Sequence, residues 1–180
     1  MNRFFLLLSI LALLVPSVLT AQTRSQIDNL SQSIENNLTG NILPFWTDYS
    51  VDPAGGFYGT VMNDGSAVES DKGAILNARI LWTYSRAYRI YGLPKYKELA
   101  DRAAEYFKAH FIDKRYGGVF WNVDKDGNMS DGTKQTYSNA FAIYGLSEHF
   151  RATGDVSSLE AAKEIYYTLE KRTPDTARKG

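Results

Sequence analysis

The chain has 180 residues and contains no cysteine, which excludes disulfide bonds and thiolate metal sites. Histidine is also scarce, with His110 and His149 as its two representatives. Neither sign of charge dominates, because 20 basic residues balance 20 acidic ones. Since no basic stripe is present, we expect no nucleic-acid partner.

Long hydrophobic runs are missing except at the beginning of the chain. Residues 4–15 read FFLLLSILALLV, follow the positively charged Arg3, and precede small residues near position 21. This order predicts a signal peptide over residues 1–21. The run is short for a membrane span, so cleavage is favoured over a membrane anchor. We therefore expect a secreted or periplasmic protein that keeps no membrane attachment after cleavage.

The chain does contain a Gly-rich segment twice. GGFYGTVMNDG at 55–65 returns as GGVFWNVDKDG at 117–127. When the chain is aligned on itself with a shift of 62, 13 residues from the first segment onward match their counterparts without a gap. A fixed period of this kind indicates an internal repeat. We assign the repeats to 55–116 and 117–178, within one domain at 22–180.

Each repeat contains a hairpin loop, an apolar helix and an amphipathic helix. Asp-Gly pairs at 64–65 and 126–127 are hairpin signals. The first helix of each pair is apolar on most sides, which is typical of an element buried on two faces. The pattern predicts an all-α fold, the amino-terminal part of an α/α toroid with short β-hairpins in the rim loops. The helices are predicted over 73–91, 95–110, 134–152 and 157–171.

A further helix is predicted before the repeats. Residues 24–46 carry apolar side chains at spacings of three and four, and Trp46 ends the stripe. A closed toroid needs about six helix pairs, and this chain supplies little more than two. We therefore expect it to be a portion of a longer protein. The stripe consists of Ile27, Leu30, Ile34, Leu38 and Ile42.

Three segments resemble a known family. NILPFW at 41–46, KGAILNARILWTYSRAYR at 72–89 and the long segment at 116–155, which includes KQTYSNAFAIYGLSE, are similar to the N-acylglucosamine 2-epimerase family. The resemblance extends over 25–171. It implies an (α/α)6 barrel and an isomerase that uses neither a metal nor an organic cofactor.

The family resemblance also implies a reaction and a partner, a small sugar. Carbon 2 of a reducing-end sugar is inverted, as when the glucose end of cellobiose becomes mannose. One histidine removes the C2 proton, a cis-enediolate forms, and a second histidine returns a proton to the other face. Histidine suits this work because its pKa lies near the operating pH.

Arg79 is the candidate catalytic residue, and it also binds substrate. It matches the family arginine that contacts the reacting end of the sugar, where a guanidinium can stabilise an enediolate oxygen. Its counterpart in the other repeat is Phe141. A charge on a helix predicted to be buried needs a ligand or a partner, and the alternative is a buried ion pair with an acidic residue from the missing half of the toroid.

Two aromatic residues complete the candidate substrate-binding set. Tyr137, in KQTY, matches a family tyrosine that lines the sugar site, although its counterpart Ile75 is apolar. Trp121 offers a face on which a sugar could stack, and core packing is an equal alternative for it. For Trp82 we favour core packing.

The two histidines match no family motif. We interpret His110 and His149 as helix-end residues that meet the helix dipole, and assign neither to catalysis. The expectation is therefore that this chain alone is inactive.

Other functions remain open at this point. A glycoside hydrolase or lyase on the same toroid needs a carboxylate pair, for which Asp64, Asp126, Asp131 and Glu148 are available. A non-catalytic sugar-binding half-toroid is the third class. The alternation of Asp124, Asp126 and Asn128 fails the calcium-loop pattern, so a hairpin turn is predicted there.

Overall fold

The structure, a computed structural model, describes residues 23–174. Its contacts divide the chain into two compact units, with the boundary between Trp46 and Thr47. The predicted signal peptide lies outside the described residues. Within 23–174, no helix has both the length and the apolarity that crossing a bilayer requires.

Helices confirm the all-α prediction. Gly92 ends the first repeat helix in the left-handed conformation, with φ 66°, and Pro94 begins the next helix, as predicted. The helix before the repeats continues past the predicted end at Trp46. The helices are α1 at 23–37, α2 at Leu43–Tyr49, α3 at Ala74–Tyr91, α4 at Pro94–Tyr106, α5 at Thr136–Thr153 and α6 at Val156–Arg172. Single π-helical turns follow α1 at Leu38–Ile42 and α4 at Phe107–Phe111.

Five short strands form the predicted hairpins. Strands β1 and β2 pair antiparallel around the first Asp-Gly turn, and β4 and β5 pair around the second. Strand β3 joins the second hairpin through β4 and leads directly into α3. The second loop is thereby fixed against the start of α3. The strands are β1 Thr60–Val61, β2 Ala67–Val68, β3 Lys72–Gly73, β4 Asn122–Val123 and β5 Met129–Asp131.

The first Gly-rich loop is closed by a buried ion pair. Lys72 Nζ lies 2.6 Å from Asp52 Oδ2 and donates to the carbonyl oxygen of Gly55 at 2.9 Å. Asp52 Oδ1 accepts the N–H of Ala54, which shapes the turn. Lys72 is 1% exposed, so its charge is stable there only because of these partners. The loop is therefore tied to the residue that precedes α3.

The second Gly-rich loop has the same connection. Lys134 Nζ lies 2.8 Å from Asp113 Oδ2, and Asp113 Oδ1 accepts the N–H groups of Arg115 and Tyr116. Burial disfavours the Asp113 carboxylate, but the Lys134 ammonium and the two N–H groups outweigh burial and lower its pKa. Both Gly-rich loops thus fasten a rim hairpin to the start of an inner helix.

The inner helices α3 and α5 run parallel and in close contact. Trp82 meets Tyr144 and, one turn later, Arg86 meets Glu148. Gly145 allows this approach, since a Cβ there would lie 2.6 Å from the carbonyl oxygen of Ala78. A substituted side chain would push the helices apart.

The prediction that α3 is buried on two faces is wrong for this chain. One face is buried and includes Ala78, Leu81 and Tyr84. The opposite face carries exposed residues, among them Arg79 and Thr83. The physical reason is that α4 and α5 cover one side of α3, and no described helix covers the other.

The unit that ends at Trp46 contains the predicted apolar stripe on α1 and the following π turn. Ile27, Leu30 and Ile34 are 61%, 62% and 60% exposed. The helical spacing is confirmed, because all three side chains lie on one face.

Candidate functional site

Arg79 stands on the uncovered face of α3. It is exposed and makes no hydrogen bond or ion pair with any residue in 23–174. The Arg79 side chain is exposed because no described helix covers the face of α3 that carries it. A free guanidinium remains available to an anionic or polar ligand.

Aromatic rings form a continuous row beside Arg79. Tyr137 meets Phe141 edge to face at 5.0 Å between ring centroids, and Phe141 meets Tyr144 at 6.0 Å. Tyr144 then stacks on Trp82 of α3, with centroids 5.0 Å apart and planes 11° from parallel. These four rings, from here on the aromatic row, connect Tyr137 at the start of α5 with the turn of α3 that follows Arg79.

The aromatic row is open to ligands on one side. Tyr137 is 59% exposed and Tyr144 is 43% exposed. Burial and the Glu148 carboxylate raise the pKa of Tyr144, and the positive charge of Arg79 partly opposes them. The charge of Arg79 therefore acts electrostatically on the Tyr144 hydroxyl. A charged donor beside exposed aromatic faces is the combination that recognises a sugar ring and its oxygens.

Trp121 lies at the rim. Its carbonyl oxygen accepts the N–H of Ala74 at 3.0 Å, and its own N–H donates to Asp131 at 2.9 Å. The residue is half-buried, between β4 and the first turn of α3. Its ring contacts no ring of the aromatic row among the described residues, so the structure links Tyr137 to the row but not Trp121.

Glu148 is a structural carboxylate. It is 4% exposed and paired with three arginines, which lie on α3 and α5. Arg89 Nε lies 2.8 Å from Oε1, Arg86 lies 3.8 Å from the same oxygen, and Arg151 lies 3.1 Å from Oε2. Both oxygens are occupied, which leaves no free oxygen for the acid–base work of a hydrolase.

His149 is a buried connector between helices. It is 2% exposed, with Nδ1 at 2.9 Å from Ser158 Oγ and Nε2 at 3.1 Å from Asp101 Oδ1. Burial lowers the pKa of His149, although Asp101 and Asp155 oppose this effect. His149 lies near the end of α5, as predicted, and its hydrogen bonds give it a structural role. It joins α5 to α4 and α6.

His110 holds the tip of the second hairpin. Its Nδ1–H donates to the Gly127 carbonyl oxygen at 2.9 Å, and its ring stacks on Tyr106 with centroids 4.3 Å apart. Gly127 has φ 89°, and a Cβ there would collide with the His110 ring. Like His149, His110 has a structural role and lies away from the aromatic row.

The rim carboxylates shape turns. Asp124 accepts the N–H groups of Asn128 and Asp126, and these bonds lower its pKa. Asp64 and Asp131 do the same for Ser66 and Thr133. The predicted hairpin turn at 124–128 is confirmed. The described part of the chain contains no group of three or more His, Cys, Asp or Glu side chains arranged to hold a metal.

Comparison with known proteins agrees with this arrangement. The family model for N-acylglucosamine 2-epimerase (GlcNAc 2-epimerase) matches residues 56–180. The chain belongs to this family. The resemblance inferred from NILPFW, ARILW and KQTYSNAFAIYGLSE is thereby confirmed.

Individual relatives have more specific names. A cellobiose 2-epimerase of Bacteroides fragilis is 46% identical over 153 residues, which are 84% of this chain and 39% of the relative. A cellobiose 2-epimerase of Ruminococcus albus is 43% identical over 144 residues, or 79% of this chain and 37% of the relative. The solved cellobiose 2-epimerase of Spirochaeta thermophila is 34% identical, with a TM-score of 0.83 over 87% of this chain and 39% of its own.

These matches confirm the fold class and limit the functional conclusion. The mostly helical fold matches the solved cellobiose 2-epimerases, which are (α/α)6-barrel isomerases, with TM-scores of 0.76 and 0.83. The chain spans about two fifths of the length of the relatives it matches.

Sequence reasoning missed most of the aromatic row. Phe141 was interpreted only as the apolar counterpart of Arg79, and Trp82 as core. The signal that could have found the row was the spacing of Tyr137, Phe141 and Tyr144, which places them on one face of α5.

Proposed function

We propose that the protein inverts carbon 2 of the reducing-end glucose of cellobiose or a related β-1,4-linked disaccharide, through a cis-enediolate. The observation that carries the proposal is Arg79, exposed and free of ion pairs within 23–174, beside an exposed aromatic row. Family membership and the names of the relatives supply the reaction class.

Arg79 is assigned to the reacting end of the sugar. When the C2 proton of the open-chain aldose is removed, negative charge develops on the oxygens at carbons 1 and 2. A guanidinium can donate two hydrogen bonds to such a pair of oxygens. Since Arg79 has no competing carboxylate partner among the described residues, its charge is available to the enediolate.

Tyr137 and its neighbours are assigned to binding. Tyr137 is 59% exposed, which leaves its ring edge and hydroxyl accessible, and Phe141 holds the ring from the other side. Aromatic faces suit the apolar C–H faces of a pyranose. Trp121, at the edge of this face, is proposed to contact the sugar as well.

Proton transfer must come from residues beyond those described. His149 is buried between α4 and α6, and His110 holds a hairpin tip, so neither can reach a sugar beside Arg79. We therefore propose that residues 23–174 supply the binding and charge-stabilising part of the site, and that this chain alone does not turn over. We also propose that the protein is exported to the periplasm or outside the cell.

The test uses the protein in the form its source makes, incubated with cellobiose in deuterated water. The expected product keeps the mass of a disaccharide, has a mannose reducing end, and carries deuterium at carbon 2. Shorter sugars would indicate a hydrolase instead, and binding without any product would indicate a binding module.

Arg79→Ala tests the assignment of the guanidinium. We expect kcat/KM to fall by at least about 10²-fold, because a donor to the developing charge is lost. Arg115→Ala is the matched control, since Arg115 is exposed and lies over the ring of Tyr116, outside the inner helices. Retained turnover in Arg79→Ala, with unchanged helix content in both variants, would remove Arg79 from the site.

A further inference from the structure

Gly145 lies in the middle of α5, where glycine is unfavourable for a helix. Its counterpart at the shift of 62 is Thr83 of α3, so the repeated pattern does not itself require a glycine. A Cβ at Gly145 would lie 2.6 Å from the carbonyl oxygen of Ala78 and 3.3 Å from Leu81 Cδ2. The glycine therefore allows a contact between the backbones of α3 and α5 that any side chain would prevent.

The turn of α3 that contains Ala78 is held to the second repeat from both ends. Four residues earlier, the Ala74 N–H donates to the second hairpin at 3.0 Å. Four residues later, Trp82 stacks on Tyr144 of α5. Between these two contacts, the carbonyl oxygen of Ala78 meets Gly145, and no rotation of a side chain can relieve a contact between two backbones. The position of α3 at this turn is therefore set by how closely α5 approaches.

Arg79 directly follows Ala78 in α3. Consecutive Cα atoms are about 3.8 Å apart, and the helix is rigid at this scale, so a displacement of Ala78 moves the start of the Arg79 side chain with it. Because non-bonded atoms prefer separations of about 3.5 Å, a Cβ at Gly145 would have to displace one helix from the other by roughly 1 Å.

We propose that Gly145 is a positioning residue for Arg79. By letting the backbone of α5 contact that of Ala78, it fixes the guanidinium at the distance from which it donates to the enediolate oxygens. This inference rests on the proposed function. Donors to a developing negative charge act within about 2.7–3.1 Å, so a displacement of about 1 Å is enough to lose the interaction.

The test is a double-mutant cycle on the protein in the form its source makes, with cellobiose as the substrate. Gly145→Ala should lower kcat/KM for epimerisation at least about tenfold, with most of the loss in kcat, because Arg79 is misplaced. In the Arg79→Ala background, the same substitution should lower kcat/KM less than about twofold, since no guanidinium is left to misplace.

Gly154→Ala is the matched control. It makes the same substitution at the end of the same helix, where a Cβ would meet no atom within 4 Å. Gly154 has φ 77°, so this variant also loses stability, but α3 and α5 keep their separation. Its kcat/KM should stay within about twofold of the wild type, which separates misplacement of Arg79 from loss of stability.

A second variant covers the case in which Gly145→Ala fails to fold. Ala78→Gly adds no atoms and makes the backbone beside Arg79 more flexible. It should lower kcat/KM at least about threefold, and again only while Arg79 is present.

The outcomes separate this inference from the proposed function. Equal losses in the presence and absence of Arg79, or full activity of Gly145→Ala, would overturn the role of Gly145 and leave the proposed function intact. A wild-type protein that does not epimerise cellobiose, or an Arg79→Ala variant with full turnover, would overturn the assignment of Arg79 and this inference with it.

Discussion

The two Gly-rich loops share a backbone and differ in how completely side chains close them. In the first loop, Lys72 is 1% exposed and is covered by the ring of Tyr106. In the second, the Lys134 side chain is 34% exposed and a cavity adjoins the glycines. Both loops keep the Asp–Lys pair and the antiparallel hairpin. Within the described residues, the first lysine is enclosed and the second is partly exposed.

The first loop has two kinds of contact that no described residue makes to the second: side chains of the outer helix α4, and the pairing of Lys72 with Val123 of β4. Tyr106 and Arg102 of α4 reach the first loop, whereas Thr168 and Glu164 of α6 stand in their places. The second loop therefore lacks both the covering ring that Tyr106 provides and the hydrogen bonds that Arg102 donates to the loop carbonyls. The glycines are retained in both copies, with φ 63° at Gly56 and 72° at Gly118, because the turn needs the left-handed conformation.

The largest expected difference in unfolding free energy is between variants of the two equivalent lysines, Lys72 and Lys134. Lys72→Met leaves the Asp52 carboxylate, 7% exposed, without its partner, and should lower the free energy of unfolding by about 3–5 kcal/mol. Lys134→Met also leaves a buried carboxylate, Asp113, without its ammonium. Because two backbone N–H groups still bond that carboxylate and the Lys134 side chain is 34% exposed, the loss should be smaller, about 1–3 kcal/mol. Denaturant unfolding of both variants measures the difference, and equal losses would show that the two loops are equally closed.

The next comparison concerns the covering residue itself. Tyr106→Ala removes a ring packed on the Gly55–Gly56 backbone and should cost about 3 kcal/mol of unfolding free energy. Thr168→Ala should cost less than about 1 kcal/mol, because Thr168 is half-buried and its hydroxyl bonds the carbonyl of Glu164 in its own helix. Thermal unfolding of the two variants shows which one loses more stability. A larger loss for Thr168→Ala than for Tyr106→Ala would contradict the prediction.

We expect His149, which lies in the second repeat, to make the stability of the protein depend on pH. His149 has the buried Ala87 as its counterpart. Burial lowers the pKa of His149, so the unfolded chain binds more protons than the folded chain as pH falls below about 6.5. Stability should therefore decrease from pH 7 to pH 5, by at most about 1.4 kcal/mol per pH unit.

His149→Gln is the control for this effect. The variant should lose the contribution of His149 to the slope between pH 7 and 5, as measured by unfolding free energies across that range. The pKa values of Asp101 and Asp155 are also lowered, so their contributions are lost only at more acidic pH. An unchanged slope in the variant would show that His149 is not the responsible group.

The smallest expected difference in unfolding free energy is between variants of two arginines that occupy equivalent positions in the repeats. Arg89 and Arg151 are counterparts, and both bind Glu148. The Arg89 side chain is 31% exposed and joins two helices, so Arg89→Ala should cost about 1 kcal/mol of unfolding free energy. Arg151 is 62% exposed and pairs within its own helix, so Arg151→Ala should cost less than about 0.5 kcal/mol. Denaturant unfolding should give this order.

Much of the fold could be predicted from local signals in the sequence. Gly92 and Pro94 mark the end of α3 and the start of α4, and the Asp-Gly pairs mark the hairpin turns. These predictions succeeded because caps and turns depend on the residues that form them. The pairing of β3 with β4 involves residues about 50 positions apart, and no local signal specifies it.

The candidate site was only partly predictable. Arg79 and Tyr137 could be identified because the segments that contain them match the family. The structure places them on neighbouring inner helices. The exposure of Arg79 could not be predicted, because it depends on which helix faces are covered. The contact between Trp82 and Tyr144 likewise depends on the approach that Gly145 permits.

The sequence by itself determined the repeat, the helices, the turns and the family, because each depends on residue order or short-range geometry. Only the tertiary structure decided which charges are buried. Lys72 and Lys134 match in sequence, yet one is enclosed and the other partly exposed. Burial is a property of the neighbours that fold over a residue, and the neighbours of Lys72, the Tyr106 ring and strand β4, lie more than 30 residues away along the chain.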